Sequence, residues 1–431
     1  MGMLKMIKQK LSSGMGRDVV WTFSIQILIM LCSFAINKLL ANRLSIDDFG
    51  QYNVIKRSVQ VLSFVMLAGV GIALPRYIPL YRNSDPPRRI APLLGASLIY
   101  IIGITMVVFA GSMIFSGQMQ VLVIGEGGNM NLLLIALAYA FALAIAQVVY
   151  AYYRGVGDFR WYNGTQLATQ LSIIVPLVAL PILTVSNVFE SWLTITTLLV
   201  AYLIGREIWL KRDRIFPLST AESPISSHLK TIVRYSSGRL VADFFQFSLA
   251  AFPLIYTSNK LGLLSTAYFS VGITFVTMIT PLFSFMGIIL LPYISNAIAR
   301  HEMKSARRLV SRLSMLYVAV SILFIAALWL FTEFLTVLLF ASSYVTTAHL
   351  TRIMILAILP QALYMLYRNT IDAVSVIPYN AIILGICLTA MIISFSLSTT
   401  LTQFAWAYLA VSCLQGLLSW GTWQIIKGKA C

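Results

Sequence analysis

The sequence predicts an all-α polytopic membrane protein, with twelve transmembrane helices in two six-helix bundles that are related by a parallel internal repeat around a V-shaped central cavity. Three observations carry this prediction. Of the 431 residues, 59% are hydrophobic and 10% are charged, whereas soluble domains carry about 25% charged residues. Apolar stretches of about 20 residues, the length that crosses a bilayer, recur along the whole chain. Basic residues concentrate in alternate loops, as in multi-pass proteins.

Twelve apolar stretches follow one another and give the predicted spans. Their approximate limits are 18–41, 53–80, 91–115, 130–153, 162–185, 188–209, 235–257, 264–296, 309–331, 348–371, 378–398 and 403–426. The segment 331–347 is too short and polar for a span of its own, so we expect an interfacial helix there.

The basic charge sets the orientation. A net charge of +17 suggests nucleic-acid binding in a soluble protein, but here Lys and Arg cluster at one side of the predicted spans, and only Arg43 and Lys260 fall in the opposite loops. The positive-inside rule therefore predicts cytoplasmic N- and C-termini, and nucleic acid is not an expected partner.

A repeat divides the chain near its middle. A shift of 217 residues keeps the six spans of each half in step, and it aligns Asn42 with Asn259 and Tyr162 with Tyr379. We therefore predict an N-terminal bundle over 1–212, a cytoplasmic linker over 213–230 and a C-terminal bundle over 231–431.

Catalytic and metal-binding patterns are missing from the sequence. There is no phosphate-binding loop of the GxxxxGK[ST] type, the three histidines are scattered, and the four cysteines show no metal-ligand spacing. We expect neither an enzyme nor a cofactor or metal site.

The most informative stretch runs from Asn42 to Arg82. A helix would hold five of its polar residues on one side, because they are spaced three or four apart: Asn53, Lys56, Arg57, Gln60 and Ser63. Such a stripe is costly in lipid, so it is expected to face protein or a watery cavity. The alternative for Lys56 and Arg57 is snorkelling into head groups, and snorkelling is the favoured interpretation for Arg76, near the inner end.

Other spans offer further candidates. Arg239 and Asp243 are four residues apart and favour an ion pair, although Asp243 is also the candidate for taking up a coupling ion. Arg154 and Arg368 fall at the cytoplasmic mouth, where they either meet an anionic substrate or only follow the positive-inside rule. Arg352 lies toward the outer side, which favours a place in the cavity.

Three stretches resemble bacterial polysaccharide flippases, the O-antigen and exopolysaccharide exporters of the multidrug/oligosaccharidyl-lipid/polysaccharide exporter superfamily. They are ANRLSIDDFGQYNVIKRSVQVLSFVMLAGVGIALPRYIPLY at 41–81, YYRGVGDFRWYNGTQLATQLSIIVPLVAL at 152–180 and VLLFASSYVTTAHLTRIMILA at 337–357. One departure is FPLIYTSNKLG at the end of span 7, where many relatives have an acidic–basic pair. The resemblance implies a two-bundle fold and alternating access.

The resemblance also implies a substrate, an oligosaccharide linked to undecaprenyl diphosphate, and a location in the bacterial inner (plasma) membrane. Membrane lipid, a polysaccharide polymerase and H⁺ or Na⁺ as a coupling ion are the other expected partners. Fixed cations suit the diphosphate, because charge-assisted hydrogen bonds are strong in a partly dry cavity. The cavity candidates are therefore Lys56, Arg57, Gln60, Arg76, Arg154, Arg239, Arg352 and Arg368, with Asp243 for ion coupling.

Two other functions compete with this interpretation. A multidrug/cation antiporter of the same superfamily needs buried carboxylates for cationic drugs, and the predicted spans clearly contain only Asp243. A membrane-embedded glycosyl polymerase or ligase needs a sizeable outer loop with basic residues, and the predicted outer loops are short. The flippase remains the predicted function.

Overall fold

A computed structural model of the chain describes residues 14–82, 90–125, 129–210, 225–299, 303–375 and 377–429. Within these residues all regular secondary structure is helical, as predicted. The α-helices in chain order are α1 (Gly14–Arg43), α2 (Ile46–Leu67), α3 (Val70–Arg82), α4 (Ala91–Ile114), α5 (Ser116–Ile124), α6 (Met130–Val156), α7 (Phe159–Ser172), α8 (Ile174–Ala179), α9 (Val185–Leu210), α10 (Ile225–Ala299), α11 (Met303–Leu330), α12 (Thr332–Leu339), α13 (Ala348–Met354), α14 (Ile358–Val374), α15 (Tyr379–Leu397) and α16 (Leu401–Lys429). Short 3₁₀ helices flank α13 at Ser342–Thr347 and Ile355–Ala357.

Ten helices of the described chain are long and apolar enough to cross a membrane, so the protein is a multi-pass membrane protein. This count is consistent with the predicted twelve spans, and two places account for the difference. The predicted span 162–185 is broken into α7 and α8 at Ile173, because Pro176 has no N–H for the carbonyl of Ser172. The predicted spans 235–257 and 264–296 both lie in α10, which is broken at Gly262.

The break at Gly262 requires glycine. Its φ of 82° lies in the left-handed region, which costs glycine little and other residues more. In the repeat, Gly262 aligns with Ser45, one of the two residues between α1 and α2. The chain therefore leaves its helical path at the same point of each half.

The short helices also follow the repeat. The interfacial helix expected within 331–347 is present as α12, followed by the 3₁₀ helix Ser342–Thr347. Its counterpart in the N-terminal half is α5, which the sequence did not predict. Both halves thus place a short helix after the third span, and both leave large apolar side chains such as Leu122 and Phe334 exposed.

The two cations of the predicted outer loops have equivalent structural roles. Arg43 donates to the carbonyl oxygens of Leu177 at 2.6 Å and Pro181 at 2.8 Å. In the other half, Lys260 donates to the carbonyl oxygen of Ser396 at 2.8 Å. The last carbonyls of a helix have no intrahelical partner, so a cation there satisfies them. Arg43 and Lys260 are thus explained as caps on the ends of α8 and α15.

Contacts divide the chain into two compact units. The first contains residues up to Leu44 together with Ser58–Leu240, and the second contains Ser45–Arg57 together with Val241–Cys431. The helix α2 therefore contributes its first twelve residues to the second unit. Most of the predicted linker 213–230 lies outside the described residues, and the predicted domain boundaries stay a prediction.

Within the second unit, Gly50 allows the start of α2 to approach the break in α10. A Cβ at position 50 would clash with the carbonyl oxygen of Leu263 and lie 3.2 Å from the amide nitrogen of Ala267. Nearby, Phe49 packs edge-on against Tyr344, with ring centroids 5.5 Å apart. The Phe-Gly-x-Tyr motif, at residues 49–52, therefore fixes the position of α2 in this unit.

Replacing Gly50 by alanine is expected to destabilise the protein, because the added methyl group has no space. We expect a loss of about 1–3 kcal/mol, the usual cost of overpacking, measured as a lower melting temperature of the purified protein. Gly103→Ala is the matched control, since it sits in α4 with nothing within 4 Å of a Cβ. An equal melting temperature for Gly50→Ala and the wild type would contradict the close approach.

Arg43→Gln and Lys260→Gln are each expected to lower the melting temperature, because the end carbonyls of α8 or α15 lose a charged donor. The loss should be about 1.5–3 kcal/mol, as for hydrogen bonds to charged groups. Arg43→Lys should keep part of the stability. If Arg43→Gln matches Arg43→Lys, the capping role of the charge is wrong.

Candidate functional site

The second unit contains a cavity of about 340 Å³ within its helices. Its wall combines one cation with neutral hydrogen-bonding groups and apolar side chains. The polar lining residues are Arg57, Gln246, Thr277, Thr280, Gln361, Tyr364, Tyr408, Ser412 and Gln415. The described lining contains no carboxylate. A cavity of this size and mixed polarity is typical of a site for a polar organic ligand.

The start of α2 determines where Arg57 points. The hydroxyl of Ser45 accepts a hydrogen bond from the amide of Asp48 at 3.1 Å, and it donates to the carboxylate of Asp48 at 2.7 Å. This arrangement satisfies an N-terminal amide, and the acidic first turn also suits the helix dipole. With Phe49 and Gly50 packed in the same unit, Arg57 is held two turns further along, in the cavity wall.

A hydrogen-bond network orders another part of the wall. The amide of Gln361 on α14 donates to the hydroxyl of Tyr408 at 2.9 Å and to the hydroxyl of Ser412 at 3.3 Å, both on α16. The two helices approach closely there, because a Cβ at Gly416 would lie 2.9 Å from the carbonyl oxygen of Pro360. The network therefore presents fixed donors and acceptors to the cavity.

Arg368 lies next to this wall. Its guanidinium donates to the side-chain oxygen of Gln246 at 2.6 Å, and Gln246 itself lines the cavity. Arg368 is half-buried. It therefore acts on the cavity by orienting the amide of Gln246.

The residues of the predicted polar stripe of α2 have different surroundings in the structure. Arg57 reaches the cavity, whereas Lys56 is half-buried with its ammonium 5.4 Å from the centroid of the Tyr52 ring. Asn53 is buried and donates to the carbonyl oxygen of Phe49 at 2.8 Å. Gln60 is exposed and belongs to the first unit. The helix thus uses its polar residues for different contacts.

The structure places the other candidates away from the lining of this cavity. Arg76 and Arg154 are exposed, and Arg154 donates to the carbonyl oxygen of Gly71 at 3.1 Å. Arg352 forms an ion pair with Glu333 at 3.0 Å, and its guanidinium carbon is 5.3 Å from the centroid of the Trp329 ring.

Two candidates lie in a helix whose side chains are not all described. Arg239 and Asp243 belong to α10, and their side chains lie outside the described part of the structure. The predicted ion pair and the predicted coupling role of Asp243 therefore stay predictions.

The contribution of the last span to the cavity was not predicted from the sequence. Tyr408, Ser412 and Gln415 all line the cavity, and their spacing of four and three residues is the same helical signal that singled out the stripe in α2. Thr277 and Thr280 of α10 show the same spacing. The signal was present, but without a charged residue it did not stand out from ordinary interhelical hydrogen bonding.

Comparison with known proteins identifies the family. The model of the family described as "Polysaccharide biosynthesis protein" matches residues 15–298, more than half of the chain. The chain belongs to this family. A comparison with curated proteins gave no match.

Comparison with solved structures shows the fold of this chain. The lipid II flippase MurJ, in an inward closed conformation, has a TM-score of 0.70 at 13% identity, over 94% of this chain and 87% of that one. An inward-facing multidrug resistance transporter of the MATE family has a TM-score of 0.69 at 13% identity, over 96% and 98%. A transporter from Pyrococcus furiosus, described by the reverse polarity of its binding pocket, has a TM-score of 0.63 at 14% identity, over 96% and 94%. The fold is that of the multidrug/oligosaccharidyl-lipid/polysaccharide exporter superfamily.

Gln361→Met is expected to destabilise the cavity wall, because it removes both amide bonds while keeping the side-chain volume. The loss should be about 1–3 kcal/mol, as for a buried group that loses its partner, and it is measured as a lower melting temperature. Gln415→Met, in the same wall but outside this network, is the control. Equal melting temperatures for the two variants would contradict the network.

Proposed function

We propose that this family member is a flippase that moves undecaprenyl-diphosphate-linked oligosaccharide units from the cytoplasmic to the outer leaflet of the bacterial inner membrane. It does so by alternating access, with both termini in the cytoplasm. The observation that carries the proposal is the cavity of the second unit, where Arg57 is the cation in an otherwise neutral polar wall. The family match supports the part played in polysaccharide biosynthesis.

The wall suits the two polar parts of such a substrate. A guanidinium offers paired N–H donors that match phosphate oxygens, and its charge is felt more strongly away from bulk water. Amide and hydroxyl groups such as those of Gln361, Tyr408 and Ser412 suit sugar hydroxyls, since they both donate and accept hydrogen bonds. Arg57 therefore binds the diphosphate in this proposal, and the neutral groups bind sugar.

The second candidate function is a multidrug/cation antiporter, which the MATE fold similarity brings into consideration. A cationic drug needs a negative partner in the cavity, and the described lining residues include an arginine but no carboxylate. The charge of the wall favours an anionic substrate. Transport, and not catalysis, is the activity we propose.

Energy coupling and partners complete the proposal. H⁺ or Na⁺ is the proposed coupling ion, with Asp243 as its candidate site. A polysaccharide polymerase on the outer side would consume the transported units. Binding of substrate to the cavity can be tested separately from transport.

Arg57→Gln is expected to weaken binding of a polyprenyl-diphosphate oligosaccharide by about tenfold to a hundredfold, because a charge-assisted bond of about 1.5–3 kcal/mol is lost. Binding is measured on the purified protein, and export is measured in cells that depend on it. Arg352→Gln is the matched control, since Arg352 belongs to the same unit but pairs with Glu333. Equal losses in both variants, or no loss in Arg57→Gln, would overturn the proposed role of the cavity.

A further inference from the structure

The first unit contains a concave surface that the proposed transport does not use. This lateral cleft, of about 360 Å³, lies between α4, α6 and α9 and is lined by Leu94, Gly95, Leu98, Val149, Ile204 and Glu207, with further apolar neighbours. All three helices are long and apolar enough to span a membrane. We therefore place the mouth of the cleft against the hydrocarbon of a bilayer.

The cleft has room for a ligand. A Cβ at Gly95 would have nothing within 4 Å, and the side chains of Leu98 and Ile208 on its rim are exposed. An apolar concavity that stays empty loses the dispersion contacts of its lining atoms. In a bilayer, a hydrocarbon chain restores those contacts without displacing bound water.

One end of the cleft lies where α4 begins and where α6 and α9 end. Ala91 is the first residue of α4, while Tyr152 and Glu207 lie in the last turns of α6 and α9. This is the predicted cytoplasmic side, and four arginines of the first unit belong to these helix ends or to the neighbouring ends of α3 and α7: Arg82, Arg154, Arg160 and Arg206.

The carboxylate in the cleft does not cancel this positive charge. Glu207 is buried and accepts from Arg206 at 2.9 Å and from the hydroxyl of Tyr153 at 3.0 Å. Arg206 also lies over the ring of Trp161, with its guanidinium carbon 3.6 Å from the centroid. Asp158, between α6 and α7, is a second described carboxylate at these helix ends. The four arginines outnumber Glu207 and Asp158 and give this end of the first unit an excess of positive charge.

We propose that the lateral cleft binds an anionic phospholipid of the cytoplasmic leaflet, with one acyl chain between α4, α6 and α9 and the headgroup phosphate among the arginines at the helix ends. Basic sites between membrane helices on the cytoplasmic side suit anionic headgroups. Phospholipid is also the bulk component of the bilayer, so mass action favours it over a minor polyprenyl carrier. The site is independent of the proposed flippase function.

The test is photolabelling of the full-length protein in nanodiscs that contain phosphatidylglycerol with a diazirine on its acyl chain. Adducts are mapped by mass spectrometry. We expect them to concentrate in 91–98, 145–152 and 203–208. Gly95→Trp should fill the cleft and lower these adducts about tenfold. Gly103→Trp is the matched control, because it lies in the same helix, is also open, and is outside the lining.

Further arms separate the possible ligands. The same acyl diazirine on zwitterionic phosphatidylethanolamine should label the cleft less, and unlabelled polyprenyl diphosphate should not displace the phosphatidylglycerol label. If Gly95→Trp does not fold, Leu98→Trp on the cleft rim serves in its place. Adducts spread evenly over other exposed apolar segments such as 392–397, equal labelling by both headgroups, or displacement by polyprenyl diphosphate would each overturn the proposal.

Discussion

The close contact of Gly50 with the break in α10 is the constraint on which the candidate site depends. Because residue 50 has no side chain, the first turns of α2 lie against Leu263 in the second unit. Seven residues later the same helix carries Arg57 into the cavity wall. A side chain at position 50 would separate the two helices and move the guanidinium. The Phe-Gly-x-Tyr motif is thus explained by packing, and its consequence is the position of a charge.

A charge in that position costs free energy unless its surroundings stabilise it. A cation inside a membrane protein faces protein or water, because lipid cannot stabilise it. Arg352 and Lys260 meet this requirement with an ion pair and with carbonyl oxygens. Arg57 meets it in a cavity whose other polar groups are neutral amides and hydroxyls. The ion pair and the carbonyl contacts assign structural roles to Arg352 and Lys260, and the place of Arg57 in the cavity wall is the basis for proposing that it binds an anion.

Much of the fold follows from the sequence alone. Hydropathy and charge asymmetry predict the helical membrane class, and the aligned pairs of the repeat predict where the second half repeats the first. The equivalent roles of Arg43 and Lys260, one residue after the aligned pair Asn42 and Asn259, agree with this repeat. The breaks were harder to predict, since the effect of Pro176 or Gly262 depends on what packs beside it.

The site was predicted only in part, because polarity gives the spacing of a stripe but not the rotation of its helix. Asn53, Lys56, Arg57 and Gln60 share one side of α2 in the sequence pattern, yet only Arg57 lines the cavity. The charges of Lys56 and Arg57 marked the stripe in α2, whereas Tyr408 and Ser412 have the same helical spacing without a charge. The helices that supply the rest of the cavity wall are determined by tertiary packing, and no local pattern in a single sequence encodes them.

The most direct test of the central claim is ligand protection of a single cysteine at position 412, in a protein cleared of its four native cysteines. Ser412 lines the cavity, and its neighbour Cys413 does not, so a protein that retains only Cys413 is the control. We expect a small thiol reagent to label position 412 and a polyprenyl-diphosphate oligosaccharide to slow this labelling, without effect at position 413. Equal labelling of position 412 with and without the ligand, or equal protection of both positions, would contradict it.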